Sequence, residues 1–278
     1  MSDIEETTPE VLKKAVEKVK NEIDQIFQGD KRRKYSRFFL AALGSIPWVG
    51  GFLGAMSALD AEKEQGQINE FLRGWLEEHK NKIDELRKTL SEIFARFEKF
   101  GEEIQERVES PQYLDLIRKG FRSWDQSDTQ EKRDLIRKLL TNAGATKLCP
   151  DDLVRLFIDW IDQYHEAHFS VIKEIYKSPG ITRAEIWDKI HVDRPREDSS
   201  EADLYKLLIR DLSMGSVIRQ HRETNYDGQF KKQKTKRSKS SSGTLKSAFD
   251  SEEPYELTEL GKQFVHYTME EVVPRIGS

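Results

Sequence analysis

The sequence feature that most limits the fold of this chain is a long stretch without a charged side chain. Residues 38–59 contain no Asp, Glu, Lys or Arg, although these residues make up 35% of the chain. A membrane-spanning helix needs about 20 consecutive apolar residues, so the stretch is long enough to cross a bilayer. The basic cluster 31–37, which comes directly before it, fits the cytoplasmic flank of such a helix.

The composition of the same stretch favours a different structure. Pro47 and several glycines and serines interrupt it, and Trp48 would lie near the bilayer centre instead of at its surface. The spacing of Gly50 and Gly54 allows close helix packing in a protein core as well as in lipid. We therefore predict a broken helical hairpin over 38–59 that is buried in the protein, with membrane insertion upon activation and a permanent span as alternatives. The residues assigned to this site are Ile46, Trp48, Gly50, Phe52, Leu53 and Gly54.

A regular apolar pattern follows the hairpin. From Ile68 to Val108, apolar residues recur at intervals of three and four, which is close to the heptad spacing of a coiled coil. The pattern predicts one long helix over 62–108. We expect this helix to pack within a bundle, and the alternative is a seam that joins two copies of the chain into a homo-oligomer.

Shorter amphipathic helices complete a predicted all-α domain at 1–148. One covers residues 8–27, and Ser110 with Pro111 ends the long helix and starts the next, because proline fits the first turn of a helix. The turn at 145–150 is the predicted boundary with a second domain, 149–278. The predicted fold class is therefore mainly α.

The second domain contains three short helices before its first strand. The first of them ends at the helix-breaking segment 178–180. Thr182 and Glu185 have the spacing of a capping box, and Ser200 with Asp203 repeats it before the third helix. Eight residues are expected to share the core of this domain: Ile186, Trp187, Leu204, Leu208, Ile218, Leu257, Leu260 and Phe264.

Two extended segments and a last helix follow. Residues 217–220 and 255–257 have strand-like composition, and Thr258 is positioned to cap a helix. The order of elements, together with the segment 255–262, resembles the winged helix-turn-helix superfamily over residues 166–272. The resemblance implies a recognition helix at the third position and a wing over 223–253. It does not imply one function, since winged helices bind DNA, RNA or proteins.

The predicted wing is the most basic part of the chain. Residues 231–246 hold seven basic side chains and no acidic one, whereas the whole chain has a net charge of −4. Such a cluster binds phosphates without reading sequence. On the third helix, only two outward side chains suit contact with nucleic acid, and acidic residues surround them. The candidate nucleic-acid-binding residues are Lys206, Arg210, Lys231, Lys232, Lys234, Lys236, Arg237 and Lys239.

Patterns typical of catalysis or metal binding are weak. His165 and His168 are three residues apart, one short of the zinc-peptidase spacing. Asp125 with Asp128, and Asp151 with Asp152, are explained as carboxylates at helix starts. Cys149 before Pro150 lies where a helix start would stabilise a thiolate, but no base accompanies it. The sequence predicts no catalytic residue, no metal and no cofactor.

The sequence thus supports two functions. The first is a non-enzymatic regulator that binds nucleic acid, DNA above all, through a winged helix with a basic wing. The second is a bacterial defence-type effector or adaptor whose winged helix docks a partner and whose segment 38–59 acts on a membrane. A single cysteine and an acidic N-terminus predict a cytoplasmic protein, with membrane association only upon activation.

Overall fold

The fold is described from a computed structural model, which defines residues 39, 41–51, 65–100, 104–146, 149–221, 227 and 247–269. Over these residues the protein is mainly helical, with one small antiparallel sheet. The helices are α1 (Gln65–Phe100), α2 (Gln105–Val108), α3 (Pro111–Gln126), α4 (Gln130–Ala145), α5 (Asp151–Gln163), α6 (Glu166–Lys177), α7 (Arg183–Ile190), α8 (Ser200–Met214) and α9 (Glu259–Thr268). The strands are β1 (Ile181–Thr182), β2 (Ile218–Gln220) and β3 (Pro254–Leu257).

The structure describes Phe39 and residues 41–51 of the uncharged stretch, and several of these side chains are buried in the protein core. Ile46 is fully buried, and Phe39 packs edge-on against Phe94 of α1, with ring centroids 4.7 Å apart. Trp48 is half-buried. The predicted burial is therefore confirmed for Ile46, whereas Phe52, Leu53 and Gly54 lie outside the described residues. Among the helices that the structure describes, none is long and apolar enough to cross a membrane.

The long helix is shorter than predicted. α1 ends at Phe100, and α2 is a separate short helix, so the predicted continuous helix 62–108 is wrong in its last turns. Gly101 follows Phe100 in the sequence. Glycine is unfavourable inside a helix and common directly after a helix end. α4 packs against both α1 and α3, and ion pairs of Arg133 with Glu85 and of Arg137 with Glu92 join α4 to α1.

The chain divides into two units between Asp162 and Gln163, later than the predicted boundary at 148. The reason is that α5 binds to the helices before it. Arg107 forms an ion pair with Asp151, and Lys119 pairs with Asp159 in addition to donating to the Arg155 carbonyl. The turn at 145–150 is therefore a connection inside the first unit.

The second unit combines α6 to α9 with the three-stranded sheet. β3 lies between β1 and β2 and pairs antiparallel with both, with Ile181 opposite Tyr255 and Ile218 opposite Leu257. β1 was not predicted, because two residues are too short for an alternating pattern. It follows Gly180, whose φ of 87° is readily adopted only by glycine.

Two predicted helix starts of the second unit are confirmed. The Thr182 hydroxyl accepts a hydrogen bond from the Glu185 amide, and the Glu185 carboxylate accepts one from the Thr182 amide. Thr258 caps α9 through the amide of Gly261. For α8 the predicted cap is wrong by one residue: Ser199, not Ser200, accepts from the Ala202 amide.

The predicted core of the second unit is correct except at Leu204 on α8 and at Leu260 on α9, which is only half-buried. Leu208 is buried, but Leu204 is 52% exposed. The buried face of α8 consists instead of Ala202, Tyr205, Leu208, Ile209 and Leu212. With 3.6 residues per turn, these positions form one stripe, and Leu204 lies about a quarter of a turn or more from its centre.

Candidate nucleic-acid interface

The basic cluster belongs to the connection between β2 and β3, and the structure describes the end of this connection from Ser247 to the start of β3 at Pro254. The segment 247–250 is held by Glu197 of the α7–α8 loop. The Glu197 carboxylate accepts hydrogen bonds from the Ser247 hydroxyl and, at 2.9 Å, from the Ala248 amide. These bonds, the Ser247 bond first, lower the pKa of Glu197, which therefore remains ionised at neutral pH.

An aromatic cluster supports the same segment. Phe249 lies edge-on to Trp187 at 5.1 Å and stacks on Tyr205 at 6.1 Å, while Ala248 is fully buried. The Ala184 amide donates to the Asp250 carbonyl at 3.1 Å. Residues 247–250, counted in the predicted wing, are thus part of the packed unit.

The residues at the other end of the connection contact a single carboxylate. Glu256 on β3 accepts a hydrogen bond from Arg219 on β2 at 2.7 Å and lies 2.6 Å from His221. Burial opposes ionisation of this group, but the bonds from His221 and Arg219 outweigh it and lower the pKa of Glu256. Arg219 and His221 are therefore engaged within the sheet.

The two predicted cations of α8 are also engaged locally. Lys206 Nζ lies 3.7 Å from a Glu197 carboxylate oxygen and 3.6 Å from one of Asp203. Arg210 is more exposed, with its Nε 3.9 Å from Asp211. Lys206 therefore helps to hold the α7–α8 loop, a role that sequence reasoning missed because Glu197 shows no motif.

The remaining predicted contacts lie outside the described residues: Lys231, Lys232, Lys234, Lys236, Arg237 and Lys239. The residues that flank the stretch 222–246 are nevertheless defined: His221, which follows β2, lies against Glu256, and Ser247 lies in the segment bound by Glu197. Six cations thus belong to one connection whose two ends, His221 and Ser247, are both bound to the second unit.

A second polar cluster, in the first unit, involves the uncharged stretch. Asp125 accepts hydrogen bonds from the Trp48 indole at 2.6 Å and from Lys82 at 2.9 Å, and Trp48 stacks on His79. Asp125 lies near the end of α3, so its interpretation as a helix-start carboxylate is wrong. Its partners are too distant in sequence for any local pattern to reveal them.

The other groups considered for chemistry have structural roles. His168 is buried and accepts a hydrogen bond at Nδ1 from the His165 amide, which satisfies the start of α6. Burial, followed by the Asp151 charge, raises the pKa of Cys149 to about 11, so the expected stabilisation of its thiolate is wrong. Among the described residues, no group of three His, Cys, Asp or Glu side chains could hold a metal ion.

Comparison of the chain with known protein families, with curated proteins and with solved structures gives no match.

Proposed function

We propose that the second unit is a winged helix that binds nucleic acid, DNA above all, along the phosphate backbone through its basic wing, and that the protein acts as a regulator. Three helices precede β2, and α9 follows β3, in the order that this superfamily uses. The pairing of β2 with β3 supports a wing at their connection.

The observation that carries the proposal is the anchoring of the basic connection at both ends. A cation cluster contributes to phosphate binding through release of condensed counterions, and this requires no base contact. Because Glu197 and the sheet fix the ends of the connection, its lysines are tethered at both ends to a folded unit.

The α8 side chains support binding without sequence readout. Base-edge contact needs free donors such as a bidentate arginine. Lys206 is instead close to two carboxylates, and Arg210 lies beside Asp211 with Asp203 on the same face. Phosphates would be repelled by these acidic groups.

The test compares two fourfold variants on two duplexes of unrelated sequence. Replacing Lys234, Lys236, Arg237 and Lys239 by Ala should weaken binding equally for both duplexes and flatten the salt dependence by about 0.9 for each phosphate that these side chains no longer neutralise. Replacing Lys80, Arg87, Lys88 and Lys99, which are exposed on α1, changes the net charge equally and should leave binding unchanged.

Arg210→Ala completes the test. It should alter affinity for both duplexes to the same extent, since we expect no base readout by α8. Unchanged salt dependence in the wing variant would refute the proposed function, and a changed preference between duplexes in Arg210→Ala would refute binding without readout.

A further inference from the structure

The face of α8 that points away from the core carries apolar side chains. Among the residues whose exposure is described, four large apolar side chains are exposed, and three of them are on α8: Leu204 at 52%, Leu207 at 39% and Met214 at 77%. Leu207 and Met214 are seven residues apart and therefore lie almost one above the other. We call Leu204, Leu207 and Met214 the outward α8 stripe.

Acidic side chains border this stripe. Glu201 and Asp203 are exposed in the first turn, and the half-buried Asp211 lies between Leu207 and Met214 in sequence. The Glu201 amide, followed by the hydroxyls of Ser199 and Ser200, lowers the pKa of Glu201, so this carboxylate is charged at neutral pH.

The cations near the stripe are paired with carboxylates and do not remove the negative charge at its border. Lys206 is shared between Glu197 and Asp203, and Arg210 lies beside Asp211. The face consequently offers apolar contact at its centre and negative charge at its border. Leucine and methionine side chains cannot hydrogen-bond to base edges, and carboxylates repel phosphates, so nucleic acid fits this face poorly.

A helix with apolar side chains flanked by basic ones complements the outward α8 stripe. An amphipathic helix with apolar residues at i, i+3 and i+7 buries such a stripe, while lysines or arginines beside its apolar residues meet the acidic border. We propose that the outward α8 stripe is a docking site for a helix of a partner protein, and that this helix presents leucine-like side chains flanked by basic residues. The outward α8 stripe shares no residue with the basic cluster 231–246, so one unit would offer distinct residues to nucleic acid and to a protein.

The probe is a fluorescent amphipathic peptide made of leucine and lysine, with a leucine and glutamate peptide of the same pattern as its counterpart. Binding to the full chain is measured by fluorescence anisotropy. We expect the lysine peptide to bind and the glutamate peptide to bind at least tenfold more weakly. In Leu204→Ser/Leu207→Ser, affinity for the lysine peptide should fall at least tenfold.

Val192→Ser is the matched control, since Val192 is 98% exposed but lies in the α7–α8 loop, and it should bind the lysine peptide as the parent does. Equal binding by the parent and the double variant, or no binding by the parent, would refute the proposal. Two further results would also refute it. A loss of duplex DNA affinity in the double variant would mean that the stripe contacts nucleic acid. A dimer of the parent in sedimentation equilibrium that is absent in the double variant would mean that a second copy of the chain occupies the stripe.

Discussion

Trp48 and Asp125 are joined by a hydrogen bond of 2.6 Å from the indole N–H to the carboxylate. The bond connects the uncharged stretch to the end of α3 and stabilises a tryptophan that the core buries only in part. Lys82 of α1 donates to the same carboxylate oxygen, so a single aspartate holds three segments of the first unit together.

Asp125→Ala should therefore destabilise the first unit. Hydrogen bonds to charged groups contribute about 1.5 to 3 kcal/mol, and Lys82 is partly exposed, so we expect a loss of about 2 kcal/mol in the free energy of unfolding. Urea denaturation followed by circular dichroism measures it. Asp115→Ala, on the exposed side of the same helix, should change stability by less than about 0.5 kcal/mol. Equal effects of the two variants would contradict the role assigned to Asp125.

Leu208→Ala and Leu204→Ala test the orientation of α8. Leu208 is 7% exposed, and removal of such a buried leucine should cost about 2 to 5 kcal/mol, because a cavity remains. Leu204 is 52% exposed, and its loss should cost less than about 0.5 kcal/mol. Thermal and urea unfolding of the two variants gives both values, and a larger loss for Leu204→Ala would mean that the helix is rotated.

Gly261→Ala should destabilise the second unit. A Cβ atom at Gly261 would lie 2.2 Å from the Val217 carbonyl oxygen. This oxygen lies directly before β2 and accepts a hydrogen bond from the Thr258 amide, so it cannot easily move away. We expect a loss of about 1 to 3 kcal/mol, typical of overpacking. Gly74→Ala provides the comparison, since nothing lies within 4 Å of a Cβ there. In a helix interior that change should stabilise by about 1 kcal/mol. If calorimetry shows Gly261→Ala to be as stable as the parent, the close approach of α9 to Val217 is wrong.

The attachment of segment 247–250 should depend on pH. The pKa of Glu197 is lowered in the folded protein, so its contribution is fully present above the ordinary glutamate pKa of about 4.3 and is lost as pH falls through the lowered value. Hydrogen-exchange protection of the Ala248 amide should thus be constant above about pH 5 and decrease in more acidic solution.

Two comparisons make this measurement specific. Glu197→Ala should remove the protection of the Ala248 amide at every pH, because no acceptor remains. The Ala184 amide, which binds the Asp250 carbonyl, involves no titrating acceptor and should keep its protection over the same range until the unit unfolds. Protection of Ala248 that survives in Glu197→Ala would show that another group binds this amide.

The helix starts could be predicted from the sequence because they depend on neighbours. Thr182 with Glu185, Ser110 before Pro111 and Thr258 before α9 each satisfy backbone amides three residues away. Such contacts form in any fold that keeps the segment helical, so the residues that make them can be recognised from the sequence. The basic cluster at 231–246 could also be recognised from the sequence, because a high density of charge is a property of consecutive residues.

The orientation of α8 and the partners of Asp125 and Glu197 were decided by tertiary structure. α8 carries apolar residues on more than one side, so its pattern alone did not separate Leu204 from Leu208. The sheet and neighbouring helices bury one side, and this leaves Leu204, Leu207 and Met214 exposed. Asp125 reaches Trp48, and Glu197 reaches Ala248, across many intervening residues. Whether two such groups meet depends on how helices pack, which no local pattern of residues encodes.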